Sequence, residues 1–265
     1  MVWGYALVWP HQWMDRDEDP LMAKLMSLRD NGLTHCMSPV REWMDMPPPR
    51  RDRLMDFMAK HGVTVTLGIY TSYFGDRDAV RRDLEAQTRA FLDLAPQIDA
   101  PIAHTGVVTT HRFADPPLER QMETLAELLR PVAKECAAAG RPLAIENHGD
   151  YYCSDLASLC RSVPGLRIFL DTGNTYLIGE QPIPAFEAAA PYVAGGHFKD
   201  HVVSPNPEKL RFELGAATLG TGHVPLRECF EILQAKSPNP DRIAMQIELI
   251  PPSFVGNDNI DSFEQ

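Results

Sequence analysis

Strand-forming runs alternate with runs at helical spacing along this whole 265-residue sequence. A parallel sheet with helical crossovers requires that alternation. Eight strand-like runs lie at 4–9, 33–37, 63–69, 101–107, 143–148, 166–171, 193–199 and 242–248. Between them, 20–30, 49–61, 77–95, 117–139, 154–162, 184–190 and 224–235 place apolar residues on one helical face, as Leu54, Phe57 and Met58 illustrate. Pro47 to Pro49, Pro116, Pro117 and Pro182 stand at helix starts, and Gly32, Gly62 and Gly140 follow helix ends. Pro131 falls inside 117–139 and is expected to kink or split that helix. Eight strands and seven intervening helices fit an α/β (β/α)8 TIM barrel, with one domain over 1–265 and no linker or low-complexity tract. A doubly wound sheet is the rival, but no GxGxxG and no GxxxxGK followed by Ser or Thr appears after a strand. The stretch after Glu248 is too short for a full last helix, which is expected to be short or missing unless the natural chain runs on.

Composition narrows the function. With 44% apolar and 23% charged residues, no apolar run of membrane-spanning length and no leader-like N-terminus, the chain reads as soluble and cytoplasmic. Its five cysteines are odd in number and lack CxxC spacing, which suits reduced core thiols. A net charge of -11 opposes binding to a phosphate backbone.

Four residues of metal-ligand type end otherwise apolar strands: Glu146 in LAIENH, Asp171 in RIFLDTGN, His197 in VAGGHFKD and Glu248 in AMQIELI. The first three are 25 and 26 residues apart, about one βα unit each, and Glu248 follows after 51. In a barrel such strand ends converge. Taken singly, an acidic residue ending a strand reads equally well as a helix cap or a solvated rim group, and a lone histidine as a bonded core residue. Together, three carboxylates in one mouth cannot all stay ionised without a compensating cation. A divalent ion meets that need, and one imidazole with three carboxylates suits Mn²⁺, with Mg²⁺ or Co²⁺ as alternatives, better than structural zinc.

At these spacings the series IEN, LDTGN, GHFKD and IEL resembles the xylose isomerase-like TIM-barrel superfamily of sugar phosphate isomerases and epimerases. The resemblance implies that Glu146, Asp171, His197 and Glu248 hold one divalent ion. It further implies that Glu146 and Glu248 act as the acid/base pair. A metal spanning a carbonyl and its neighbouring hydroxyl acidifies the C–H between them, so an ene-diolate forms as a carboxylate takes the proton. Reprotonation gives isomerisation or epimerisation of a keto sugar or polyol. Expulsion of a β-leaving group gives a lyase or dehydratase acting on a 3-keto sugar or cyclitol. An endonuclease IV-like phosphodiesterase and a non-catalytic subunit are further alternatives. The first calls for a zinc cluster and a basic face, and a complete ligand set argues against the second.

Alternation along the strands turns Lys199 to the side of His197, and His148 and Gln246 to the sides of Glu146 and Glu248. Hexulose epimerases carry a histidine three residues after the strand-end aspartate, where this chain has Asn174. The candidate substrate contacts are His148, Lys199, Asn174 and the aromatic or polar pair Trp9 and His11. His104 on the fourth strand is a further candidate, with a satisfied core histidine as the favoured reading. Segment 201–222 reads as a lid-type loop, and LGTGHVP as a Gly-x-Gly turn offering N–H groups to a ligand. A small sugar or polyol is the expected partner, with no nucleic acid or membrane, and a homo-oligomer stays open.

Overall fold

In the computed structural model, which describes residues 1–6, 14–108, 110–206 and 211–249, eight short parallel strands curl around one axis. They are β1 (Val2–Tyr5), β2 (His35–Pro39), β3 (Thr64–Gly68), β4 (Ala103–Thr105), β5 (Leu143–Glu146), β6 (Arg167–Phe169), β7 (Val193–Phe198) and β10 (Ala244–Ile247). Their order is β1-β10-β7-β6-β5-β4-β3-β2, as a TIM barrel requires. A separate antiparallel hairpin, β8 (Asp200–Asn206) and β9 (Arg211–Ala217), follows β7. The helices are α1 (Pro20–Asp30), α2 (Arg41–Met44), α3 (Pro48–His61), α4 (Arg77–Leu94), α5 (Leu118–Ala138), α6 (Cys153–Ser162), α7 (Pro182–Ala189) and α8 (Leu226–Lys236).

Local chemistry sets these boundaries. The Asp19 carboxylate accepts from the N–H groups of Leu21 and Met22 and so caps α1, whose first residue is Pro20. Gly62 adopts φ +64° to end α3. Pro131 removes one helical hydrogen bond yet does not split α5. Its cost of roughly 3 kcal/mol is outweighed by the buried face of Leu125, Leu128, Leu129, Val132, Ala133 and Cys136, where each large side chain contributes about 1.5–3 kcal/mol. Segment 201–222 is mostly the β8–β9 hairpin and not an open loop. The short α2, which buries Trp43, has no counterpart in the sequence reading. The region expected to hold a short last helix lies outside the described residues.

The main core lies between strands and helices, and a smaller cluster of Ile102, Ala144, Phe169 and Ala244 fills the barrel itself. All five cysteines are buried and free. Among the described residues, no helix is long and apolar enough to cross a membrane.

The barrel has one seam. Among the described residues no ladder joins β1 to β2, and one backbone bond, Thr34 N–H to Trp3 O at 3.4 Å, spans the gap. Gly4 lets the strands meet there, since a Cβ at that position would sit 2.0 Å from the His35 carbonyl oxygen. The His35 ring bonds the hydroxyls of Thr64 at 2.7 Å and Thr66 at 2.9 Å.

Two outcomes are expected. Gly4→Ala must part the seam strands and should destabilise the chain by more than about 2 kcal/mol, read as a lower denaturant midpoint; an unchanged midpoint contradicts this. Burial pushes His35 from 6.5 down to about 4. The unfolded chain binds this proton near pH 6.5 and the folded chain only near 4, so stability is lost as pH falls through that window. Between pH 7 and 4 the stability difference between wild type and His35→Gln should move in the variant's favour by about 3 kcal/mol.

Candidate active site

Glu146 is the last residue of β5, Asp171 lies just past β6, His197 is within β7 and Glu248 directly follows β10, so all four sit at the mouth formed by the strand C-terminal ends. His197 Nδ1 is the hub. It lies 3.1 Å from Glu146 Oε1, 3.4 Å from Asp171 Oδ2 and 3.7 Å from Glu248 Oε2. Two ligands about 2.1 Å from a common ion are roughly 3.0–3.4 Å apart, so these separations match a set converging on one point. The ligand atoms of Glu146, Asp171 and His197 all lie within 4.8 Å of one another.

Each side chain is held from behind. Glu146 Oε2 accepts from His104 Nε2 at 2.8 Å, and Asn174 Nδ2 donates to its Oε1 at 3.5 Å. Asp171 serves two roles: Oδ1 accepts the N–H groups of Gly173 (2.8 Å) and Asn174 (3.0 Å) as a local cap, while Oδ2 faces the cluster. Asn147 brackets the Asp171 backbone, accepting its N–H at 2.7 Å and donating to its C=O at 3.1 Å. The Lys199 ammonium lies 2.8 Å from Glu248 Oε2 and 3.0 Å from Asp171 Oδ2.

Electrostatics reflects this crowding. Burial pushes the Glu146 carboxyl up, but His197 and His104 outweigh it and hold the group well below the usual range. Burial is likewise overcome at Asp171, chiefly by Lys199, and the carboxyl is lowered. Burial disfavours the imidazolium of His197, yet Glu248 and Glu146 raise it to about 10. Burial also works against the Lys199 charge, and Asp171 and Glu248 raise it above its ordinary value. His104, without a comparable ring of carboxylates, is lowered by burial.

Several atoms of the cluster are unsatisfied. Asp171 Oδ2 touches Lys199 and His197 without a well-directed hydrogen bond, and Asn174 Oδ1 and His197 Nε2 have no partner, although all three are buried. Three carboxylates face one ammonium, so two negative charges remain. They balance a divalent cation when the imidazole is a neutral ligand, and the donor set is of the type such ions take.

The structure brings Lys199 and Asn174 into this cluster. Gln246 is fully buried beside His197 in strand register, and both its amide atoms lack partners. His148 departs from expectation: β5 stops at Glu146, alternation ends there, and the His148 side chain is exposed at the mouth while Asn147 turns inward. Trp9 and His11 lie outside the described residues. The Gly-x-Gly turn does not offer free donors, because the Asp200 carboxylate accepts from Gly220, Gly222 and Val224 at 2.9 to 3.1 Å. Sequence reasoning missed His201, which is buried against Gly173 with Nε2 unpartnered. The second histidine of GHFKDH was its only signal.

Barrel topology and an acidic cluster at the strand ends define the class as a TIM barrel with its polar centre at the C-terminal mouth. The sequence profile of the xylose isomerase-like TIM barrel family matches residues 27–245, and the chain belongs to that family. No curated protein matches its sequence. Solved structures share the fold at low identity. A D-psicose 3-epimerase from Clostridium cellulolyticum H10, solved with D-tagatose, is 17% identical with TM-score 0.71, covering 98% of this chain and 89% of that one. A xylose isomerase-like TIM barrel protein from Mycobacterium smegmatis in complex with magnesium is 18% identical with TM-score 0.67, covering 93% and 88%. The probable 3-DHS dehydratase AsbF from Bacillus anthracis is 18% identical with TM-score 0.60, covering 90% and 89%.

Removing the Asp200 carboxylate strands several N–H groups at once. Asp200→Ala is expected to lower Tm by roughly 5–10 °C, and a Tm within a degree of wild type contradicts this account of the turn.

Proposed function

We propose that this protein is a divalent-metal-dependent isomerase or epimerase of a keto sugar or polyol. The observation that carries the reading is one imidazole nitrogen 3.1 to 3.7 Å from oxygens of three different carboxylates. Glu146, Asp171, His197 and Glu248 would hold the ion, Mn²⁺ first, with Mg²⁺ or Co²⁺ as alternatives. When bound, the ion supplies Lewis acidity to a carbonyl and its neighbouring hydroxyl, acidifying the C–H between them. The magnesium complex of the Mycobacterium smegmatis protein and the sugar complex of the epimerase support this reading by similarity of fold.

The chain's own groups do the rest. Glu146 and Glu248 remove and return the proton at the carbon next to the carbonyl. Lys199 donates to Glu248 Oε2 at 2.8 Å and holds that carboxylate in place. Asn174 Oδ1, buried and unpartnered, is available to accept from a substrate hydroxyl. His148 contributes from the rim, and Trp9 and His11 complete the proposed substrate contacts. One observation bears on a second reading: position 174 carries a neutral amide bonded to Glu146 where hexulose epimerases have histidine. That difference weighs against a ketohexose as substrate and keeps open a lyase that expels a β-leaving group from a 3-keto sugar or cyclitol.

The test is solvent deuterium exchange at the carbon α to the carbonyl across a panel of ketohexoses and 3-keto glycosides. Glu146→Gln and Glu248→Gln should each lower exchange by about 10²–10⁴-fold with the fold intact. EDTA should abolish exchange and Mn²⁺ restore it. Exchange surviving in both variants refutes the acid/base roles, and exchange unaffected by chelator refutes the metal requirement.

A further inference from the structure

The second oxygen of Glu146 is tied to a side chain from a strand that supplies no member of the ligand set. His104, the middle residue of the three-residue strand β4, donates from Nε2 to Glu146 Oε2 at 2.8 Å, and its Nδ1 lies 2.8 Å from the Tyr70 hydroxyl. The Tyr70 hydroxyl also reaches Met37 Sδ at 3.6 Å, but the neutral imidazole is the nearer and stronger acceptor for its proton. A carboxylate has no proton to offer, so Nε2 carries the hydrogen, and Nδ1 of the neutral ring is left to accept from Tyr70 O–H.

The chain is anchored at both ends and at its middle. Gln87 of α4, itself fully buried, accepts the Tyr70 N–H at 3.1 Å and donates to the Tyr70 C=O at 2.9 Å. The Tyr70 ring folds back over Gly68, where a Cβ would fall 2.2 Å from it. The Phe169 ring packs edge-on against both His104 (4.5 Å) and His197 (4.8 Å), holding the two imidazoles on either side of Glu146. A histidine serving only as core filler needs no such succession of bonds ending on a carboxylate of the cluster.

We propose that Tyr70 and His104 are positioning residues that fix the rotation of the Glu146 carboxylate, committing Oε2 to the protein and Oε1 to the His197 side of the cluster. The proposal rests on the metal reading above. It assigns β4 and the segment just after β3, which supply no member of the ligand set, a part in building the centre, and it makes His104 act only through Glu146 and Tyr70 only through His104.

The experiment is calorimetric titration of the metal-free full chain with Mn²⁺ alone, on wild type, His104→Leu, His104→Gln, Tyr70→Phe and the double variant Tyr70→Phe/His104→Leu. Loss of the donor in His104→Leu should weaken Mn²⁺ binding about 10- to 100-fold. His104→Gln, whose amide can donate to Oε2, should recover most of that loss. Tyr70→Phe should weaken binding several-fold in the wild-type background and not at all in the His104→Leu background. Should His104→Leu fail to fold, Tyr70→Phe and His104→Gln carry the test, since the first removes one oxygen and the second keeps the donor. Wild-type affinity in folded His104→Leu or Tyr70→Phe overturns the proposal, as does a Tyr70→Phe loss that is the same with and without His104. A wild type that takes up no Mn²⁺ overturns the metal reading together with this one, whereas unchanged affinity in the variants of a wild type that binds Mn²⁺ overturns this one alone.

Discussion

Three carboxylates meeting in a poorly solvated space repel one another and resist desolvation, and the barrel mouth is arranged around that problem. Glu146, Asp171 and Glu248 arrive from different strands, and no apolar rearrangement relieves their crowding. The chain answers with Lys199 across Asp171 and Glu248, with His197 at the hub, and with backbone or side-chain donors behind the carboxylates. With the imidazole as a neutral ligand, three carboxylates against one ammonium leave two negative charges, which is the electrostatic opening for a divalent ion.

The fold supplies the convergence without special devices. Parallel strands packed around one axis end in a ring, so the residues that close β5, β6, β7 and β10 become neighbours despite lying up to about a hundred positions apart. Strand ends also carry their own supports. Asn147 follows Glu146 directly and pins the Asp171 backbone, and Asp200 follows Lys199 and organises the turn that leads to α8. Side chains that shape the site therefore sit next in sequence to those that line it.

That adjacency explains how much of the molecule the sequence disclosed. The helix at 20–30 was readable because its apolar spacing stops just before Gly32, a local signal, and the four strand-end residues stood out because each interrupts an apolar run near a strand end. Other features depend on distance or on a boundary. His148 changes sides because β5 stops at Glu146, so a two-residue error in a strand end reverses the predicted face. The Gly-x-Gly turn looked open because its acceptor, Asp200, lies about twenty residues away. The β8–β9 hairpin was hidden by Pro205 and Gly215 in what read as a loop, although its partners pair from Asp200–Ala217 to Asn206–Arg211. His104 resembles any core histidine until Tyr70 and Glu146 are seen on its two nitrogens.

The shared centre is tested most directly by anomalous diffraction from crystals of the protein soaked in Mn²⁺. The account predicts a single manganese peak bonded to Glu146, Asp171, His197 and Glu248. No peak in that space, or manganese held only by carboxylates elsewhere on the surface, would contradict it.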